Sequence, residues 1–183
     1  MEKLREKYGG RVAVHYRAFL LRAEPDPDSV FNDYRRQHWL RANAQGDGGA
    51  FHPWHSEEPF PNHSLPSSEA ARCAALQGEE AFRRYHFALL RAIFEESRNI
   101  SDPRVLVRIA EEQGLDAPRF QEDLLSGSQR DGVLREYVEG VRNFGVRAIP
   151  TVIIGRKRVL TGAVPRVEYE RAIERILGAE GEA

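Results

Sequence analysis

The sequence predicts an α/β fold in which a block of helices interrupts sheet-forming sequence, and three segments support this prediction. Residues 11–21, RVAVHYRAFLL, alternate apolar and polar side chains as a half-buried strand does. Residues 67–144 read as a run of helices separated by glycine and proline signals. Residues 145–178 then hold two short strands and a final helix, entered through an Ile149–Pro150 bond. The helical block therefore lies inside the sheet-forming sequence.

Composition and charge exclude several functional classes for this chain of 183 residues and 20.9 kDa. Hydrophobic residues make up 41% and charged residues 30%, which are ordinary values for a globular chain. The length predicts one domain with a substantial core, with two small lobes as the alternative. A formal net charge of −1 gives no electrostatic reason to expect nucleic acid or an anionic membrane as a partner. The N-terminal residues lack the apolar stretch that a signal peptide contains. We therefore expect a cytoplasmic protein.

The single cysteine, Cys73, limits the chemistry that the sequence can support. One thiol excludes an internal disulfide, a CxxC pair and a cysteine-based zinc cluster. Cys73 lies in the middle of the alanine-rich helical segment SEAARCAALQG, which favours a small buried apolar residue over a reactive or resolving thiol. A nucleophile–base pair of Cys73 and His86 is a further hypothesis, although nothing in the sequence brings the two together.

A long loop rich in glycine and proline separates the N-terminal segments from the helical block. EKLREKY at residues 2–8 predicts a helix closed by Gly9, and residues 29–44 predict a second helix. Residues 46–66 predict the loop. Its candidate zinc ligands are His52, His55, Glu57, Glu58 and His63. No helical spacing holds these side chains together, so we predict no metal site, and we expect Trp54 and Phe60 to cover a cleft or a core edge.

Helix signals in the block are clear at some positions and ambiguous at others. Ser67 or Ser68 is predicted to cap the first helix, and Asp102 followed by Pro103 predicts the start of a later one. The last helix of the block is predicted to present one apolar face, formed by Leu134, Tyr137 or Val138, Val141 and Phe144. After the hairpin and the final helix, residues 179–183 are predicted to fray.

Three stretches of the chain resemble the DsbA-like branch of the thioredoxin superfamily. They are RVAVHYRAFLL, the helical segment at residues 61–116, and FGVRAIPTVIIGRKRVLTGAVP at residues 144–165. Within that branch the chain is most similar to FrnE-type oxidoreductases and to their relatives, the 2-hydroxychromene-2-carboxylate isomerases. Together the three stretches cover nearly the whole chain.

The resemblance implies an α/β thioredoxin-like fold with an inserted helical domain, lacking the first strand and the start of the active-site helix. Such proteins begin with a strand and a C-x-x-C motif, whereas EKLREKY is similar to the end of the helix that follows. A start assigned at an internal codon and a true loss of the segment both agree with the sequence. The resemblance implies five segments. They are a remnant of the thioredoxin-like core at residues 1–45, a loop at 46–66, the helical insertion at 67–144, the closing ββα part of the core at 145–178 and a tail at 179–183.

The resemblance also assigns Ile149, Pro150 and Thr151 to the cis-proline loop, which binds an extended substrate by strand addition. Local sequence alone favours a trans proline at a strand start, so the cis geometry is implied by the resemblance only. No catalytic residue of the family is present in this chain. Without its interior strand the sheet would carry unpaired backbone groups, so we expect partial disorder, dimerisation through the exposed sheet edge, or a longer natural product.

Three functions follow as hypotheses. The first is a DsbA-family thiol–disulfide oxidoreductase without a cofactor, inactive as this chain, whose partners are thiol- or disulfide-containing proteins or small molecules. The second is a relative of the glutathione-dependent isomerases and transferases, in which glutathione supplies the thiol. The third is a non-catalytic module that keeps the peptide groove and has lost redox chemistry.

Overall fold

The computed structural model of the protein describes residues 1–44 and 50–181. Along these residues the α-helices are α1 (Glu2–Tyr8), α2 (Asp33–Ala44), α3 (Leu65–Ala75), α4 (Glu79–Phe94), α5 (Pro103–Glu112), α6 (Ala117–Ser126), α7 (Arg130–Phe144) and α8 (Arg166–Gly181). A short 3₁₀ helix spans Gly9–Arg11, and the strands are β1 (Thr151–Ile154) and β2 (Arg158–Thr161). None of the described helices combines the length and the apolar composition that crossing a lipid bilayer requires.

The chain divides into two compact units. The sheet unit comprises Met1–Arg17 and Tyr137–Ala183, and the helical unit comprises Ala18–Glu136. The helical unit lies within the sequence of the sheet unit, so the sheet unit is assembled from both ends of the chain. The five domain ranges given by the resemblance stay predictions.

The core of the helical unit forms where α3, α4, α5 and α6 pack together. Its fully buried large side chains include Tyr85, Leu106, Ile109 and Phe120. The Tyr85 hydroxyl donates to the Leu106 carbonyl over 3.0 Å, which satisfies the one polar atom of that ring inside an apolar core. The predicted start at Asp102 and Pro103 is confirmed, because the Asp102 carboxylate accepts the Arg104 N–H at 2.8 Å.

The core of the sheet unit joins α1 to α8 and to the hairpin. Leu4, Tyr8 and Ile173 are buried together. Half-buried side chains pack around them, namely Val12, Ile154, Tyr169 and Leu177. The Tyr8 hydroxyl also donates to the Glu174 carboxylate over 3.0 Å. α1 and α8 come from opposite ends of the chain, and this packing is what holds the hairpin against a helix.

The predicted strand at residues 11–21 is not a strand. Its side chains do alternate as expected, with Val12 and Val14 less exposed than Arg11 and His15. Within the described residues, however, no ladder pairs this segment with another strand. The backbone of this segment bonds to a side chain at Ala18, whose N–H donates to the Glu136 carboxylate over 2.8 Å. An extended segment becomes a strand only when a neighbouring strand supplies the partners.

Three helix boundaries and one helix face differ from the sequence predictions. α2 begins at Asp33, four residues later than predicted. α3 begins at Leu65, so residues 65 and 66 belong to a helix and not to the predicted loop. Residues 46–49 of that loop lie outside the described part of the chain. Neither Ser67 nor Ser68 caps that helix, because both lie inside its first turn and their hydroxyls donate to the Ser64 carbonyl. α8 continues to Gly181, beyond the predicted fraying point. Helix ends depend on local contacts that composition does not encode.

Three residues of the predicted apolar face of α7 are exposed, while Tyr137 and Phe144 are half-buried. Leu134, Val138 and Val141 keep 37%, 41% and 39% of their surface accessible, whereas Val133 is fully buried. The buried side of the helix is instead set by Gly132, where an added Cβ would lie 2.7 Å from the Arg72 guanidinium of α3. Periodicity identifies an apolar stripe, but the packing partner decides which side of the helix is buried.

The Glu136 carboxylate joins two parts of the helical unit. It accepts hydrogen bonds from the Arg72 guanidinium and from the Ala18 N–H, each over 2.8 Å. The Glu136 side chain is only 10% exposed. It therefore ties α7 to α3 and to the extended segment that enters the unit. Charge-assisted bonds at this degree of burial are stronger than surface pairs.

Glu136→Gln is expected to lower the free energy of unfolding by about 1–3 kcal/mol, because the amide keeps an acceptor but removes the charge that pairs with Arg72. Urea denaturation followed by circular dichroism measures this. Glu122→Gln, an exposed residue on α6, is the matched control and should change stability by less than about 0.5 kcal/mol. Equal effects of the two substitutions would contradict the role assigned to Glu136.

Gly155→Ala is expected to destabilise the protein by about 1–3 kcal/mol more than Gly162→Ala. Both glycines have positive φ, +55 and +86, so both substitutions carry the same kind of backbone cost. Only at Gly155 would the new Cβ approach a side chain, at 3.0 Å from Ile176, whereas nothing lies within 4 Å at Gly162. Thermal unfolding of the two variants measures the difference, and equal losses would show that the Ile176 contact is unimportant.

Candidate functional site

The segment before β1 forms an exposed loop with an unusual backbone geometry. The Ile149–Pro150 peptide bond is cis. Ile149 keeps 47% of its surface accessible, and Pro150 is also exposed. The Thr151 hydroxyl donates to the Ala148 carbonyl over 2.7 Å, which closes the loop on itself. Ile149, Pro150 and Thr151, which the sequence singled out, therefore form one continuous surface at the start of β1.

β1 uses its backbone hydrogen-bonding groups on one side only. It pairs antiparallel with β2, with Thr151 opposite Thr161 and Ile154 opposite Arg158. The Gly162 N–H donates to the Pro150 carbonyl over 2.8 Å. Because bonding and non-bonding positions alternate along an antiparallel pair, the N–H and C=O groups of Thr151 and Ile153 point away from β2. Among the described residues no third strand meets them.

The two faces of β1 have different surroundings. Ile154 packs into the core that α1 and α8 form, and side chains alternate along a strand. Val152 therefore shares the face of Ile154, while Thr151 and Ile153 lie on the opposite face. The hairpin is anchored on the first face, and its free edge carries alternating donors and acceptors. An extended chain placed along this edge would find the same partners that β2 finds on the other side.

The segment Ile149–Ile154 contains no titratable side chain. It can position a bound chain through the backbone, but it supplies no acid, base or nucleophile of its own. Sequence reasoning missed Ile153 as a member of this site. Its alternation with Thr151 in TVII was the signal that could have identified it.

Cys73 is buried in the core of the helical unit and is chemically quiet. Its side chain is fully inaccessible. Burial, together with the nearby Asp123 and Glu69 carboxylates, raises the pKa of the Cys73 thiol to about 12. The prediction of a small buried apolar residue is confirmed. Near neutral pH the thiol stays protonated, so it is a poor nucleophile.

The pairing of Cys73 with His86 has no chemical basis in this structure. The His86 ring stacks on Phe82 with centroids 5.6 Å apart and meets the edge of Phe87 at 5.3 Å. A base 
activates a thiol that substrate can reach, and Cys73 is enclosed by the helices. This hypothesis is therefore wrong for the folded protein.

The histidines of the loop take part in separate local interactions. His52 Nδ1 lies 3.1 Å from the Glu95 carbonyl, His55 Nδ1 lies 2.9 Å from the Ser97 hydroxyl, and His63 Nδ1 lies 2.7 Å from the Asn62 side-chain oxygen. Desolvation lowers the pKa of His63. In the described ranges, no three His, Cys, Asp or Glu side chains form a group that could hold a metal ion.

Aromatic side chains around this loop form a cluster within the helical unit. Trp39 lies 5.0 Å from Phe94 and 4.9 Å from Phe31 between ring centroids. Trp54 meets Phe60 at 5.0 Å. Trp54 and Phe60 are half-buried members of this cluster, and their covering of a cleft or a core edge stays a prediction. Edge-to-face contacts of this kind stabilise the loop and α2 against α4.

Comparisons with known proteins identify a family model and two sequence relatives of this chain. The sequence model described as "DSBA-like thioredoxin domain" matches residues 1–174. The chain is 28% identical to the Bacillus subtilis protein YwbO over 179 residues, which is 90% of this chain and 82% of that protein. It is 28% identical to the ClpXP adapter protein SpxH of Halalkalibacterium halodurans over 132 residues, which is 69% of this chain and 42% of that protein.

A solved structure shows the same fold at low sequence identity. It comes from Nitrosomonas europaea and carries the provisional name protein disulfide isomerase. The TM-score is 0.69, with 15% identity, across 98% of this chain and 88% of that one. The fold predicted from the sequence, thioredoxin-like with a helical insertion, is thereby confirmed. Because the family match extends over residues 1–174, the chain belongs to the family of DSBA-like thioredoxin domains.

Proposed function

We propose that the protein acts in thiol–disulfide exchange as a DsbA-family oxidoreductase, and that its own part in the reaction is to hold the substrate. The observation that carries the proposal is the free edge of β1, which begins at the cis Ile149–Pro150 bond. The family membership and the provisional name of the Nitrosomonas europaea protein support the redox assignment. A FrnE-type specificity and a cytoplasmic location belong to the same proposal.

The binding mode follows from the geometry of the hairpin. An extended segment of a substrate protein would lie along β1 and exchange hydrogen bonds with the outward N–H and C=O groups of Thr151 and Ile153. The exposed Ile149 would contact the side chains of that segment. Main-chain bonding of this kind accepts many sequences, which suits an enzyme that acts on diverse proteins.

The chemical step needs a thiolate that these 183 residues do not supply. The only cysteine is Cys73, and its pKa is raised to about 12 by burial. This observation favours a second candidate function, a peptide-binding module without redox chemistry. A relative named ClpXP adapter protein supports a role in binding another protein.

Peptide binding at β1 is tested with an extended probe, the insulin B chain with its cysteines alkylated. We expect the amide signals of residues 149–154 to shift in NMR titrations more than those of residues 158–161. Ile153→Pro should weaken binding at least about tenfold, because it removes an outward donor while leaving the ladder to β2 intact. Val159→Pro is the matched control, because its N–H faces the other edge of the hairpin. Equal effects, or shifts confined to other regions, would refute the site.

Turnover by the 183-residue chain tests whether Cys73 supplies any redox activity. We expect no reduction of insulin by dithiothreitol above the uncatalysed rate, and Cys73→Ala should leave that rate unchanged. Measured turnover that the Cys73→Ala substitution removes would contradict the inactive assignment. The result does not bear on peptide binding, which is measured separately.

The thiol of Cys73 should react with an aromatic disulfide reagent only as fast as the helical unit opens. Its pKa lies above the ordinary value, so the neutral form predominates at all pH values below about 12. In concentrated guanidinium chloride the same thiol should react at the rate of a free cysteine. Rapid native-state labelling at neutral pH would show that the burial described here is not maintained in solution.

A further inference from the structure

The sheet unit contains a second concave surface, separate from the free edge of β1. It lies between the turn that joins β1 to β2 and the exposed side of α8, and its volume is about 440 Å³. We call it the basic pocket. Four cationic side chains line it, namely Lys157, Arg158, Arg171 and Arg175. A pocket of this size is within the range that small organic ligands occupy in proteins.

The charge of the basic pocket is not balanced by its own residues. Its lining contains one carboxylate, Glu168, and that group already forms an ion pair with Arg171 at 2.8 Å. Within the described part of the chain, no ion pair involves Lys157, Arg158 or Arg175. The whole chain has a net charge of −1, so the excess of cations here is local.

The cations of the pocket repel one another. Arg171 and Arg175 are four residues apart on α8 and therefore lie on the same side of the helix, where like charges are destabilising. Lys157 and Arg158 extend from the turn toward the same space. An anion in the pocket would relieve this repulsion. Arginine is suited to such a ligand because its guanidinium can donate two parallel bonds to phosphate or carboxylate.

The base of the pocket is apolar. Leu160 of β2 and Ala172 and Ile176 of α8 contribute to the lining, and Ala172 is buried. The close approach of Ile176 to the turn depends on Gly155, which leaves room for it. A cationic rim above an apolar base favours a ligand with an anionic group attached to an apolar body over a bare ion.

We propose that the basic pocket binds a small organic phosphate monoester. The dianionic group would lie among Arg158, Arg175 and Lys157, and the organic part would pack on Leu160 and Ile176. A phosphate dianion matches the three unpaired cations better than a single carboxylate does. The site needs no residue of β1 that faces outward, so it can be tested independently of peptide binding.

Isothermal titration calorimetry of the 183-residue chain with phenyl phosphate tests the proposal. We expect saturable binding at one site, and at least about tenfold weaker binding in Arg158→Gln and in Arg175→Gln. Arg108→Gln, an exposed arginine on α5, is the matched control and should bind as tightly as the unaltered protein. Inorganic phosphate should bind more weakly than phenyl phosphate, because it cannot contact the apolar base.

Three outcomes would overturn the proposal. The first is binding that Arg108→Gln weakens as much as Arg175→Gln, which would indicate nonspecific attraction. The second is tighter binding of inorganic phosphate than of phenyl phosphate. The third is binding of a short oligonucleotide without measurable binding of phenyl phosphate, which would identify a nucleic-acid surface. Unfolding curves establish that each variant is folded, and Lys157→Gln replaces any variant that is not.

Discussion

The Glu136 carboxylate ties the entry segment of the helical unit to two of its helices. It lies in α7 and connects that helix to Arg72 of α3 and to the backbone of Ala18. Since Ala18 is where the chain enters the helical unit and Glu136 is where it leaves, one side chain joins both ends of the unit. A carboxylate at such a position stabilises the entry segment without a sheet, because its oxygens accept the N–H that a neighbouring strand would otherwise satisfy.

The same backbone requirement acts differently in the sheet unit. There β1 satisfies its groups on one side through β2, and the packing of Ile154 against α1 and α8 keeps the strand in place. The groups on the other side remain available in the described structure, beginning at Thr151. Rigid support on one face and free hydrogen-bonding groups along one edge are the two conditions for recognition by strand addition. The basic pocket lies elsewhere on the same unit and uses side-chain charge instead.

Most helices were predictable because their signals are local. Asp102 and Pro103 start α5 by a capping interaction and a fixed φ that need only neighbouring residues. The loop at Ile149–Thr151 was located from its resemblance to known proteins. Ile153 and the basic pocket were not found, because pairing register and the approach of the turn to α8 involve residues that are distant in sequence. Val138, an alternative to Tyr137 on the predicted apolar face of α7, is exposed, because periodicity does not specify which element a helix packs against.

By itself the sequence determined that the protein has one thiol, that a run of helices precedes a hairpin, and that a proline precedes the first strand of that hairpin. It also determined the family, because the matching residues extend along nearly the whole chain. Only the tertiary structure decided that Cys73 is enclosed, that residues 11–21 form no strand, and which edge of β1 is free. The reason is physical: helix caps and turns are settled by nearby residues, whereas burial and strand pairing depend on partners that only folding brings together.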